Sequence, residues 1–145
     1  MEYAFRIREN LNSIQSENQY NIIVRFFEQL CKSNKWELSS IAKYQPGKLY
    51  KLVNCGTTID YHRRCEIMDI SDDKQYLEQN NIHVFDSFSF FETNYLELGD
   101  IVSHKYSNYF GKITRIRMGG WFVSYQVTHG DMTVELKSNT LIRVN

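Results

Sequence analysis

Along the last fifty or so residues, apolar and polar positions alternate with the period of two that a half-buried strand requires. In the stretch RIRMGGWFVSYQVTHGDMTVELK, Arg115 to Lys137, Gly119-Gly120 and His129-Gly130 interrupt that alternation as two-residue hairpin loops do. With loops at those positions Ile116 faces Val123 and Thr114 faces Tyr125, then Tyr125 faces Val134 and Val123 faces Leu136. Ile116, Val123, Tyr125, Val134 and Leu136 thereby share one buried face. A slip of one residue in either hairpin would destroy the agreement. The opposite face carries Arg115, Arg117, Phe122 and Lys137 towards solvent, with Phe122 between Arg117 and Lys137.

The first third has a different period. Tyr3, Ile7, Leu11 and Ile14 recur at helical spacing and predict a first helix. Tyr20, Ile23, Val24, Phe27, Leu30 and Cys31 follow the i, i+3, i+4, i+7 pattern of one buried helical face, and Ser16 with Gln19 offers a capping box. From Trp36 to Ile70 strand signals dominate, with reversals at Pro46-Gly47 and Gly56. In TTIDYHRRCEIMDI, Thr57, Ile59, Tyr61, Cys65 and Ile67 fall on one side and Asp60, His62, Arg64 and Glu66 on the other. SDDKQYLEQNN suits a short helix capped by Ser71, and IHVFDSFSFF a buried strand. The expected order is ααβββαβ over residues 1–96, an α+β lobe, followed by an antiparallel five-stranded unit over 97–145. A competing reading makes residues 22–52 a helix-turn-helix, with Lys48 to Leu52 opening the recognition helix and residues 57–70 a wing.

GDIV, GKITRI, WFVSYQV and LIRV, with a tight turn before the last strand, resemble the SH3-like small barrels, including KOW and Tudor domains. That resemblance covers the last third of the chain and implies a five-stranded antiparallel barrel. It also implies binding of peptides, proteins or nucleic acids rather than catalysis. In Tudor-like relatives a loop-side aromatic cage binds methylated side chains, and Tyr106, Tyr109 and Phe110 occupy the corresponding loop here.

Charge refines this picture. Seventeen basic and seventeen acidic residues leave no net field to draw the chain to nucleic acid or anionic lipid. From Glu97 onward six basic residues face four acidic ones, a mild local excess. No apolar run is long enough to span a bilayer, and three cysteines without a disulfide framework suit a reducing, cytoplasmic setting. Scarce alanine and proline with abundant Asn, Ile, Lys, Tyr and Phe match AT-rich codons, a hint of bacterial or phage origin.

Candidate chemistry is sparse. Cys55, His62 and Cys65, with His83, lack the spacing of zinc ligands, and strand parity puts His62 and Cys65 on opposite faces, so no metal or cofactor is expected. Asp60, His62, Arg64 and Glu66 could serve acid–base chemistry but equally make an ordinary wet strand face. No phosphate loop, nucleophile elbow or metalloprotease motif is present. The expectation is a non-catalytic interaction protein (a regulator, immunity protein or phage inhibitor of host machinery) that binds a protein through Arg115, Arg117, Phe122 and Lys137. Nucleic-acid binding, with the same cations seeking phosphates, is the alternative. An enzyme whose site is assembled from scattered residues is the third class.

Overall fold

The apolar stripe centred on Ile23 and Phe27 folds as its spacing predicts, into α1 (Ser13–Asn34). Ile23, Phe26, Phe27, Leu30 and Cys31 are buried, each large apolar side chain contributing on the order of 1.5–3 kcal/mol. A computed structural model describes residues 2–7, 10–86, 95–119 and 122–144, and of Gly119 and Phe122 only the backbone. The capping box lies one turn earlier than expected. Asn12 accepts from the Gln15 amide while the Gln15 side chain accepts from the Asn12 amide, and Ser16 and Gln19 are instead buried helical residues. Lys35, left-handed at φ 58°, ends the helix, and the Trp36 amide donates back to Cys31.

Residues 2–6 are not the first of two helices. They form β1 (Glu2–Arg6), the strand beside the centre of a five-stranded sheet, so the order begins βα rather than αα. The other strands are β2 (Glu37–Ile41), β3 (Lys48–Thr57), β4 (Arg63–Ser71) and β5 (Ile82–Asp86), in the order β2-β4-β3-β1-β5. β1 runs parallel to β5 and antiparallel to β3. Both faces of β1 are covered. Phe5 meets Phe26 and Phe27 of α1 edge-on at 5.5 Å, whereas Ala4 packs with Leu49, Ile70 and Leu77 under α2 (Lys74–Gln79). Asp73, not Ser71, caps α2.

Lys48 to Leu52 lie in β3, and α1 and α2 are the only α-helices among the described residues, which removes the helix-turn-helix reading. The strand expected to run from Thr57 through Ile67 is a hairpin instead. β3 ends at Thr57, residues 58–62 form the turn, and Ile59 and Tyr61 stand 96% and 89% exposed at its tip rather than on an apolar face. Cys65 and Ile67 are buried as expected.

The second sheet contains β6 (Ile101–His104), β7 (Phe110–Gly119), β8 (Phe122–His129), β9 (Met132–Lys137) and β10 (Leu141–Arg143), all antiparallel in the order β10-β6-β7-β8-β9. A 3-10 turn, Ser138–Thr140, precedes β10. β9 and β10 sit at opposite edges, so the sheet is not closed into a barrel. Both hairpin loops fall one residue later than their glycines suggest. Gly119 pairs with Phe122, and His129 with Met132 around Gly130-Asp131, where Gly130 at φ 59° supplies the positive angle of a type II′ first position.

Each shift moves the partner by two residues, which preserves parity. Ile116, Val123 and Tyr125 are therefore buried as expected, while Val134 and Leu136 are half-buried. Thr114 breaks the pattern. It is the extra residue of a bulge between Ile113 and Arg115, exposed rather than facing Tyr125, and it lets Ile113 and Ile116 both point inward.

α1 packs on β7 of the second sheet and on β2 and β4 of the first. One apolar core accordingly runs from Phe5 and Tyr50 through Phe27 and Leu96 to Val102, Ile116 and Tyr125. Among the described residues no helix is long and apolar enough to cross a membrane.

Candidate binding groove beside the end of the first helix

Beyond Lys112, the partner of Ile101, β7 outruns β6 and leaves one edge without a neighbouring strand. The end of α1 fills that edge. The Ile116 amide donates to Ser33 Oγ at 3.1 Å, and its carbonyl accepts from Asn34 Nδ2 at 2.9 Å. Asn34 Oδ1 also accepts from Arg115 Nε at 2.8 Å. One asparagine thereby supplies the shorter of two donors to a strand carbonyl, the other being Ser33 Oγ at 3.4 Å, and orients a guanidinium.

Here the two sheets and the helix enclose an open groove of about 380 Å³, lined among others by Asn34, Trp36, Arg63, Arg115, Arg117 and Met118. The turn at Lys35 delivers Trp36, and the Arg63 guanidinium lies 4.3 Å from the centre of its ring. Glu2 is the acidic residue among the described lining, and it is bound to Lys51 Nζ at 2.5 Å. Arg117 makes a loose, exposed contact of 3.4 Å with Glu135. The C-terminal end of α1 contributes about half a negative charge, which offsets a fraction of three guanidinium charges. The described lining therefore carries an excess of positive charge, from Arg63 and Arg115 above all.

Arg115 and Arg117, expected on the outward face, are thus brought together with Arg63 of the other sheet and Trp36 of the α1–β2 connection. Arg117 is exposed; Arg115 is half-buried against Asn34 rather than fully solvated. The row itself is corrected by the register shift. Arg117 pairs with Ser124 and Ser124 with Lys137, so serine occupies the position expected for Phe122. Phe122 stands opposite Gly119 nearer the loop, and its side chain lies outside the described residues, as does Trp121. Lys137 is exposed.

Arg63 and Trp36 were not singled out by sequence, although a signal existed. Arg63 shares strand parity with Cys65 and Ile67, a charge on an apolar side. Asn34 offered none, because its partners are more than eighty residues away.

The remaining candidates are dispersed. Cys55 Sγ donates to Glu66 at 3.2 Å, and this carboxylate pushes the thiol pKa upward. Cys65 is buried, and burial raises its pKa too. His62 closes the β3–β4 turn, its amide donating to Thr58 Oγ1, whereas His83 packs on Phe85 at 4.6 Å. Asp60 shares that turn, while Arg64 and Glu66 lie on β4. Among the described residues no three His, Cys, Asp or Glu side chains gather as a metal site. Tyr109 does not open into a cage, since its hydroxyl donates to the Val127 and Met132 carbonyls. Tyr106 and Phe110 are exposed against His104 and His129 respectively. Compared with known proteins, the chain matches no family model, no curated protein and no solved structure.

Proposed function

We propose that this chain is a non-catalytic interaction protein that binds a protein partner over the arginine-lined groove, with Arg115 and Arg117 inside it and Lys137 and the Phe122 position on the strands beside it. The observation that carries this reading is the convergence of Arg63 on Trp36 with Arg115 and Arg117 in one groove. Arginine and aromatic side chains of this kind dominate the energetics of protein interfaces. Ile59 and Tyr61 add exposed apolar surface at the tip that leads into Arg63, on a turn held by the Thr58–His62 and Tyr61–Thr58 backbone bonds. The zero net charge argues against an extended phosphate-binding track. The Cys55 thiol, its pKa raised by Glu66, is poorly suited to nucleophilic catalysis. The second sheet belongs to this proposal as an SH3-like module, supported by its five antiparallel strands and the 3-10 turn before the last.

The test is affinity capture from a bacterial host with wild-type protein and with an Arg115→Glu/Arg117→Glu double variant. The proposal expects a nuclease-resistant protein partner with the wild type and its loss with the variant. Capture of nuclease-sensitive nucleic acid, or an identical partner with both proteins, would overturn it.

A further inference from the structure

Five of the described arginines divide into two groups by what holds them, while Arg117 makes only its loose contact with Glu135 and Arg64 is exposed on β4. Arg6, Arg25 and Arg143 each rest on a carboxylate, at 2.6 Å from Asp72, 2.6 Å from Glu97 and 2.9 Å from Asp100. These charges are answered within the fold. Arg63 and Arg115 instead rest on neutral groups, the Trp36 ring and the Asn34 amide oxygen. Neither has a carboxylate partner among the described residues. Two guanidinium groups oriented by neutral neighbours, with no carboxylate answering them among the described residues, form a receptor for an anion. Those contacts meet part of the entropy of ordering them before an anion arrives.

We infer that the groove takes an acidic segment of the partner protein, its carboxylates meeting Arg63 and Arg115 and an adjoining apolar side chain resting against Met118 and Leu52. This rests on the proposal that the partner is a protein and adds the chemistry of the part that docks. Charge complementarity selects the occupant, since the lining offers three arginines against a Glu2 already bound to Lys51. The apolar lining favours a peptide over a nucleic-acid backbone. Leu52, Val53 and Met118 share the groove with the arginines, whereas a phosphate chain would leave them uncovered.

The experiment uses the full chain and a dye-labelled synthetic peptide alternating Glu and Leu, read by fluorescence anisotropy. A twin with Gln for every Glu, and a single-stranded oligonucleotide of similar length, serve as comparators. The Glu peptide is expected to bind about tenfold or more tightly than its Gln twin, and to weaken as salt rises. Arg63→Gln and Arg115→Gln should each weaken it by roughly tenfold. Arg64→Gln, exposed on the alternate face of β4, should leave it unchanged, and Arg63→Gln and Arg64→Gln should both keep the wild-type unfolding midpoint. Equal binding of the Gln twin, tighter binding of the oligonucleotide, or equal effects of Arg63→Gln and Arg64→Gln would overturn the inference. If the Glu peptide fails while the Arg115/Arg117 variant still loses its captured protein, the acidic segment is refuted and the protein partner stands. Retention of that protein by the double variant refutes the wider proposal instead.

Discussion

Asn34, the last residue of α1, holds Arg115 of β7 by a 2.8 Å hydrogen bond while its amide nitrogen caps the carbonyl of the next residue, Ile116. A helix end, a strand edge and a groove arginine therefore depend on one side chain. Asn34→Ala removes the donors to Leu30 and Ile116 together with the acceptor for Arg115. A loss of about 1–2 kcal/mol is expected in urea unfolding. Faster hydrogen exchange along the uncovered edge of β7 should accompany it, and an unchanged midpoint would show that the clamp is dispensable.

Gly111 is required by proximity. A Cβ at this position would lie 2.5 Å from the carbonyl oxygen of Thr128 and 2.8 Å from its carbon, both backbone atoms that cannot rotate away. Gly111→Ala should force β7 from β8 and lower stability by roughly 1–3 kcal/mol. Thermal melting checks this, and a wild-type Tm would contradict the geometry.

Arg6 donates two hydrogen bonds to Asp72, from Nε at 2.8 Å and Nη2 at 2.6 Å, which hold the Asp72 pKa below its ordinary value of 3.8. Because the folded-state pKa is the lower one, the pair's stabilisation is complete above the unfolded value. It is lost as pH falls through the folded one. Both partners are partly exposed, so Arg6→Gln should cost only about 0.5–1 kcal/mol at neutral pH. The difference from wild type should shrink below the ordinary aspartate range. Urea titrations at a series of acidic pH values measure it, and a difference independent of pH would exclude this ion pair as its source.

The three thiols should react in a fixed order. Burial pushes the Cys31 pKa up to about 12 and also raises that of Cys65, so both are protected and protonated at neutral pH. Cys55 is half-buried and accessible, though its hydrogen bond to Glu66 slows it. A chromogenic disulfide reagent should modify one thiol in native protein and all three after denaturation, with mass spectrometry placing the first at Cys55. Early modification of Cys31 would contradict the packing.

Ile59 and Tyr61 project from the β3–β4 turn without packing on the core. Replacing both with serine should change stability by about 0.5 kcal/mol or less while weakening capture of the partner. Equal capture would exclude the tip from the interface.

What was legible in the sequence followed from parity and what was missed followed from tertiary context. The hairpins of β7, β8 and β9 displaced their loops, yet a two-residue change of partner left Ile116, Val123 and Tyr125 on the same face. The bulge at Thr114 has no such protection, since glycine or proline does not mark it. β1 escaped notice because Ala4 and Phe5 are buried against opposite layers, which erases the alternation that announces a one-sided strand. Ile59 and Tyr61 misled for the converse reason: their spacing continued a strand pattern through a turn where nothing covers them. Arg115 and Arg117 were visible as outward cations, but Asn34, Trp36 and Arg63 join them only through packing between the sheets.

β1 lies between β3 and β5, although it comes first in the chain. Its parallel register joins Glu2 to Ile82, eighty positions apart, and its antiparallel register joins Ala4 to Lys51. During synthesis on a ribosome the strand must therefore wait for both neighbours, and the first sheet cannot close until residue 86 has emerged. Contacts of such sequence separation slow folding relative to a fold built from local contacts. α1, being local and emerging early, can form ahead of it. Until β1 docks, its tyrosine and phenylalanine have no layer to cover them, which leaves this strand exposed to aggregation and to chaperones.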